Sequence, residues 1–213
     1  MGNAFQADSS MEDKEIGMLR TSDEIVDQHG SAKNSAATHS GGHSASSRAE
    51  SLAARIEEGA AGLRAFVEGL SDAEWHTPIS ATDRRSVGVV VHHVASMYPL
   101  EIDLARAVAG GTSVTNVTWE IVAQVNAKHA QDNAQVSKSA ALELLRQNSR
   151  QAAAAVRAFV DQELDNAAPF SLSAGAPMTA QFVIEDHAMR HSWHHLAAIR
   201  KAIGREEPNP IKA

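Results

Sequence analysis

The chain has 213 residues, 43% of them hydrophobic and 21% charged, which suits one sizeable domain plus an appendage and excludes a large multidomain assembly. Nineteen Lys and Arg against 26 Asp and Glu leave a net charge of −7, so the basic surface that draws nucleic-acid phosphates is missing. There is no cysteine, which excludes disulfides, thiolate metal sites and a cysteine nucleophile; thiol chemistry here requires a thiol carried by a small molecule.

Residues 1–46 are rich in Ser, Gly, Ala, Asn and acids, and the tract 30–47 holds no large apolar residue. Such a segment cannot offset its ordering entropy by burial, so a flexible polar extension is expected, with at most a turn or two of helix at 16–26. No stretch approaches the roughly 20 apolar residues that cross a bilayer, and no basic-then-apolar leader opens the chain. A soluble, cytoplasmic protein without membrane or nucleic-acid partners is the expectation.

From residue 47 to 213 the alanine-rich sequence has helical periodicity and few strand-forming runs. A first helix is predicted over 47–70, with Leu52, Ile56, Leu63, Phe66 and Val67 at helical spacings and Ser71-Asp72 as a stop and restart. After a loop holding Trp75, Pro78 and Ile79, a second helix runs over 84–109 and stops at Gly110-Gly111. Pro99 lies inside it, so a kink is expected where the Ala95 carbonyl loses its partner. A third segment covers 118–163, broken near 135–139 where Ser137 or Ser139 caps the second half. The connection 165–177 is too punctuated by Pro and Gly for helix. A fourth helix runs from Met178 or Thr179 to Ile203 and ends at Gly204. The fold class is all-α, a four-helix bundle.

Four histidines fall within 187–195. At 100° per residue from His187, His191 lies near about 40°, His195 near about 80° and His194 near about −20°. Ile184, Ala188, Ala198, Ile199 and Ala202 share the arc, which puts His191 and His195 at the centre of the core-facing side and His187 and His194 at its edge. An i, i+4 histidine pair can reach one metal ion. On the second helix, His93 sits on the shoulder of the apolar face and His92 turns toward solvent, so His93 is the candidate third ligand. Three neutral imidazoles leave a divalent ion an open position, and nitrogen ligation suits Zn, Ni, Fe, Co or Cu. Structurally satisfied core or rim histidines are the alternative. His29, His39 and His43 in the extension could scavenge metal on their own.

Two motifs carry a family resemblance: Ser86-Val-Gly-Val-Val-Val-His-His93 on the second helix and His191-Ser-Trp-His-His195-Leu-Ala-Ala-Ile-Arg200 on the last. Over about 47–204 the chain resembles the DinB-like superfamily, metal-binding four-helix bundles that include bacillithiol and mycothiol S-transferases and mycothiol-dependent maleylpyruvate isomerase. The resemblance places the metal triad on His93, His191 and His195. It implies a divalent ion, Zn or Ni first, and bacillithiol or mycothiol as cosubstrate. His187 and His194 are extra to the pattern; His194 is the candidate catalytic proton shuttle, with a rim histidine touching water as the alternative. Tyr98, Glu101, Asp103, Asn126 and His129 are further polar candidates for a helix-lined pocket, and Trp75, Trp119 and Trp193 are core or rim anchors.

The expected function is therefore a metal-dependent thiol S-transferase that activates a low-molecular-weight thiol for attack on a small electrophilic substrate. A hydrolase on the same site is a variant. A stress-associated metal- or ligand-binding bundle without turnover, paired as a homodimer through exposed alanine-rich faces, is the reading from a different class.

Overall fold

The computed structural model describes residues 46–206. Apart from Ser46, the polar extension with its segment 16–26 and its three histidines lies outside the described residues, as does the tail from residue 207.

Helix α1 spans Ser47–Glu68. Ser46 caps it by accepting from the Ala49 N–H at 3.0 Å, satisfying a donor that the first turn leaves free. Its buried face is Ala49, Leu52, Ala53, Ile56, Gly59, Ala60, Leu63 and Val67, the spacing that one helical stripe requires. The short helix α2, Asp72–Trp75, was expected as loop. It exists because Ser71 and Glu74 satisfy each other's backbone N–H groups, at 2.8 Å and 3.3 Å, a reciprocal cap that stabilises a single turn.

Helix α3, Val87–Ala109, is continuous through Pro99. The Ala95 carbonyl, which Pro99 deprives of its helical donor, instead accepts from the Asn148 side-chain amide at 2.9 Å. The expected third segment is divided more finely. Helix α4 is Trp119–Asp132, α5 is Lys138–Arg157 and α6 is Asp161–Asp165. The break lies in the expected place, with Ser137 accepting from the Ala140 N–H at 3.2 Å. The early end at Arg157 follows from a new turn starting after Val160, whose N–H donates to the Glu163 carboxylate at 2.9 Å.

The punctuated connection forms a two-stranded antiparallel hairpin, β1 Ala167–Pro169 against β2 Pro177–Thr179. This small β element was not expected; its turn uses left-handed backbone at Ala174 and Gly175, and Phe170 drops into the core beside it. The closing helix comprises α7 Ala180–Val183, a π-helical stretch Ile184–Met189 and α8 Arg190–Ala202.

Helix α1 packs against α5 and α8, and α3 packs against α5 and the closing helix, so the consecutive long helices α1 and α3 face each other across the bundle. Between them lies one continuous apolar core. Helix α4 has no buried residue and rides on α3 from outside. Among the described residues no helix is long and apolar enough to cross a membrane.

Candidate metal centre

The position of His93 is set by the start of α3. Ser86 caps the helix through its hydroxyl, accepting from Val89 at 3.3 Å. Gly88 is required because a Cβ there would come within 2.4 Å of the Trp75 ring. Trp75 is buried, and its indole N–H donates to the Val136 carbonyl at 3.2 Å, tying the turn before α5 to the same corner. Ser86 and Gly88 of the motif thus hold the helix end, and His93 follows below them, 6% exposed.

The other two imidazoles come from α8, where His191 and His195 are separated by one regular helical turn. Nitrogen atoms of His93, His191 and His195 lie within 4.8 Å of one another, and His93 Nε2 is 3.2 Å from His191 Nε2. Helices α3 and α8 are held in this register by the Tyr98 hydroxyl, 2.7 Å from Ser192 Oγ. Both of these residues are fully buried.

Glu101 supplies the decisive second contact. Its carboxylate lies 2.5 Å from His191 Nδ1 and is buried. A proton on Nδ1 donated to this carboxylate leaves the Nε2 lone pair directed at the cluster. On a wheel with Val87 at zero, Glu101 falls near about 320°, inside the apolar arc of α3; a carboxylate on that arc is the sequence signal for its role.

Burial, reinforced by the His191, His195 and Arg85 charges, holds the pKa of His93 down to about 2. Burial, with His191, His194 and Arg85 adding, lowers that of His195 to about 3. Both rings are neutral at pH 7 and so in the state that binds metal. Two buried atoms of this group have no hydrogen-bond partner, His93 Nδ1 and Glu101 Oε2. Converging imidazole nitrogens, two of them on rings that burial holds neutral and the third backed by a buried carboxylate, fit a divalent cation.

His92 does not point to solvent as expected. Its Nδ1 is 2.9 Å from His129 Nε2, with the rings stacked at 5.1 Å, because α4 covers this side of α3. Ser96 Oγ donates to the His93 carbonyl at 3.0 Å and lies 3.2 Å from His129 Nε2. The His129 ring stands edge-on to His93 at 5.5 Å, and its Nδ1 is buried without a partner. Burial first, then His92 and Arg85, hold His129 down to about 4.

His194 is exposed, with its ring 5.2 Å from that of His195, and lies outside the three-nitrogen cluster. His187 sits 5.7 Å from the Phe170 ring, and burial lowers its pKa. Asp103 pairs with Arg106 on the surface at 3.2 Å. Asn126 is half-buried and makes no hydrogen bond to the cluster. Trp193 covers Gly59 of α1, where a Cβ would meet its ring at 2.6 Å, while Trp119 is 64% exposed.

The wheel centred on His191 and His195 needs correction. The buried residues of α8 are Ser192, Leu196 and Ile199, and the histidines lie on the flank of that face. Within α8 itself, Ala198 and Ala202 of the wheel are only half-buried while Ser192 and Leu196 are buried. In addition, the π-helical stretch at Ile184–Met189 inserts an extra residue into the turn, so the bearing read from Ile184 and Ala188 does not carry into α8.

The model of the DinB superfamily matches residues 55–199, and the chain belongs to that superfamily. Among solved structures the chain is similar to YfiT from Bacillus subtilis, described as a probable metal-dependent hydrolase with an unusual four-helix bundle topology. The likeness has a TM-score of 0.61 and 19% identity, covering 83% of this chain and 93% of that one; at this identity it establishes the shared fold. No curated protein matches the chain.

Proposed function

We propose that this protein is a divalent-metal-dependent enzyme, with zinc or nickel held by His93, His191 and His195. We further propose that it joins a low-molecular-weight thiol such as bacillithiol or mycothiol to an electrophilic small molecule. The observation that carries the reading is the meeting, within 4.8 Å, of imidazole nitrogens from two helices at a buried to half-buried position. When bound, the ion supplies a Lewis acid that lowers the pKa of a thiol reaching it.

The protein's own residues set the conditions for that chemistry. His93 and His195 stay neutral because burial disfavours their charged forms. Glu101 keeps the His191 proton on Nδ1 and adds negative charge behind the ligand. Tyr98 and Ser192 fix the helix register. His194, at the solvent edge beside His195, is assigned the exchange of the thiol proton with water. A cytoplasmic homodimer belongs to the same reading and is checked by light scattering and fractionation.

The similarity to YfiT favours a second reading on the same residues, hydrolysis, in which water takes the place of the thiol. The discriminating experiment incubates metal-loaded protein with 1-chloro-2,4-dinitrobenzene and bacillithiol, mycothiol or glutathione, and follows conjugate formation. Conjugation above the rate of the thiol alone, abolished in a His191→Ala/His195→Ala variant, is expected. Stoichiometric metal with no conjugate from any thiol eliminates the transferase. Equal metal content in wild type and double variant eliminates the site.

A further inference from the structure

A cleft of about 450 Å³ opens between the start of α3 and the end of α4, lined by Arg84, Arg85, Ser86, Val89, Ala130, Gln131 and Ala134. Its size is that of a small-molecule site. Its lining runs toward the histidines along both helices: Val89 precedes His93 by one helical turn, about 6 Å along α3, and Ala130 follows His129 directly. The lining contains two guanidinium groups and no carboxylate, in a chain whose net charge is −7.

The two arginines are differently committed. Arg85 is held by Asp83 through two of its nitrogens, Nε at 2.9 Å and Nη2 at 2.7 Å, which fixes the direction of the guanidinium and leaves Nη1 free. Its charge reaches the cluster, lowering the proton affinity of His93, His129 and His195 alike. Arg84 is exposed and makes no hydrogen bond or ion pair with any described residue. With Asp83 counted, the cleft holds about one uncompensated positive charge, which matches a monoanion. Gln131 on the opposite wall offers amide donors.

We propose that this cleft is the specificity subsite of the enzyme, where Arg84 and Arg85 grip a carboxylate of the substrate while its reactive sulfur lies at His93, His191 and His195. The proposal rests on the thiol reading above and narrows its substrate class to a thiol bearing a carboxylate, which sets aside a neutral thiol such as mycothiol. Guanidinium and carboxylate fit through paired charge-assisted hydrogen bonds, and the two arginines together give about tenfold in affinity, each exposed pair contributing a few-fold. Arg85, locked by Asp83, is oriented in advance, and Arg84 supplies the mobile half of the grip.

The test loads the full chain with Co²⁺, whose visible spectrum reports a sulfur ligand, and titrates 3-mercaptopropionate and 6-mercaptohexanoate against 3-mercapto-1-propanol and 6-mercapto-1-hexanol. At least one acid is expected to bind about tenfold more tightly than the alcohol of its own length. In Arg84→Gln, which leaves the Asp83–Arg85 pair intact, the ratio falls to about threefold or less, with cobalt content and alcohol affinity unchanged. Arg85→Gln, checked for folding by circular dichroism, has the same effect. Equal binding of acid and alcohol at both lengths, or a ratio that survives both substitutions, overturns the subsite and leaves the metal–thiol reading standing. Failure to bind cobalt, or cobalt that no thiol perturbs, overturns that reading and the subsite with it.

Discussion

Replacing Glu101 by Gln removes one buried negative charge and keeps an oxygen able to accept from His191. The carboxylate is 7% exposed and lies 2.5 Å from Nδ1, so its field acts on the imidazole with little screening by water. One charge-assisted hydrogen bond contributes about 1.5 to 3 kcal/mol. Losing its charged part should lower metal affinity by roughly 10- to 100-fold, the range found when such outer partners of ligating histidines are altered. Glu101→Ala loses the acceptor as well and should fall at the far end of that range. Competition with a chromophoric chelator measures the constants, and thermal melts of the metal-free proteins report folding separately. Wild-type affinity in Glu101→Gln, with a melt within a degree or two of wild type, would refute the idea that this carboxylate strengthens the ligand set.

Stripped of metal, the protein should lose stability as the pH falls below 6.5. His93 and His195 take up protons in the unfolded chain near 6.5, yet stay neutral in the folded one down to about 2 and about 3. The unfolded state therefore binds more protons across that window, and each group removes up to about 1.4 kcal/mol per pH unit there; urea midpoints independent of pH between about 7.5 and 5 would contradict this. Gly88→Ala forces a methyl to within 2.4 Å of the Trp75 ring and should cost about 1 to 3 kcal/mol, read by urea unfolding, with an unchanged midpoint counting against it. Asn148→Ala leaves the buried Ala95 carbonyl without its donor and should cost about 1 to 3 kcal/mol. The double variant Pro99→Ala/Asn148→Ala should recover most of that loss, because the helical N–H returns.

What could be read from the sequence was whatever a regular helix determines. His191 and His195 are one α-turn apart within α8, and His93 lies on a helix with a continuous valine face, so simple rotation brought these three into consideration together. Ser137 and Gly110 marked element ends because caps and stops act through the nearest few atoms. Three features were out of reach of local rules. The π-helical stretch has no composition signal and displaced the bearing of every residue after it. His129 rides on α4, whose residues are nowhere buried, so no apolar stripe disclosed which way that helix turns. Asn148 satisfies Ala95 from 53 positions away, a repair that local rules for proline cannot anticipate. Glu101 is the intermediate case, visible on the wheel as an acid among valines, its partner supplied by tertiary structure.

The pairing of His93 with His191 also joins segments 98 positions apart, and this governs when the proposed metal site can form. A nascent chain emerging from the ribosome presents one imidazole of the triad and then waits through most of the bundle for the remaining two. Incomplete chains therefore lack the three-nitrogen cluster. On the proposed metal reading loading comes last, and it inspects the finished product: only a molecule whose final helix has docked against α3 in the right register holds all three nitrogens together.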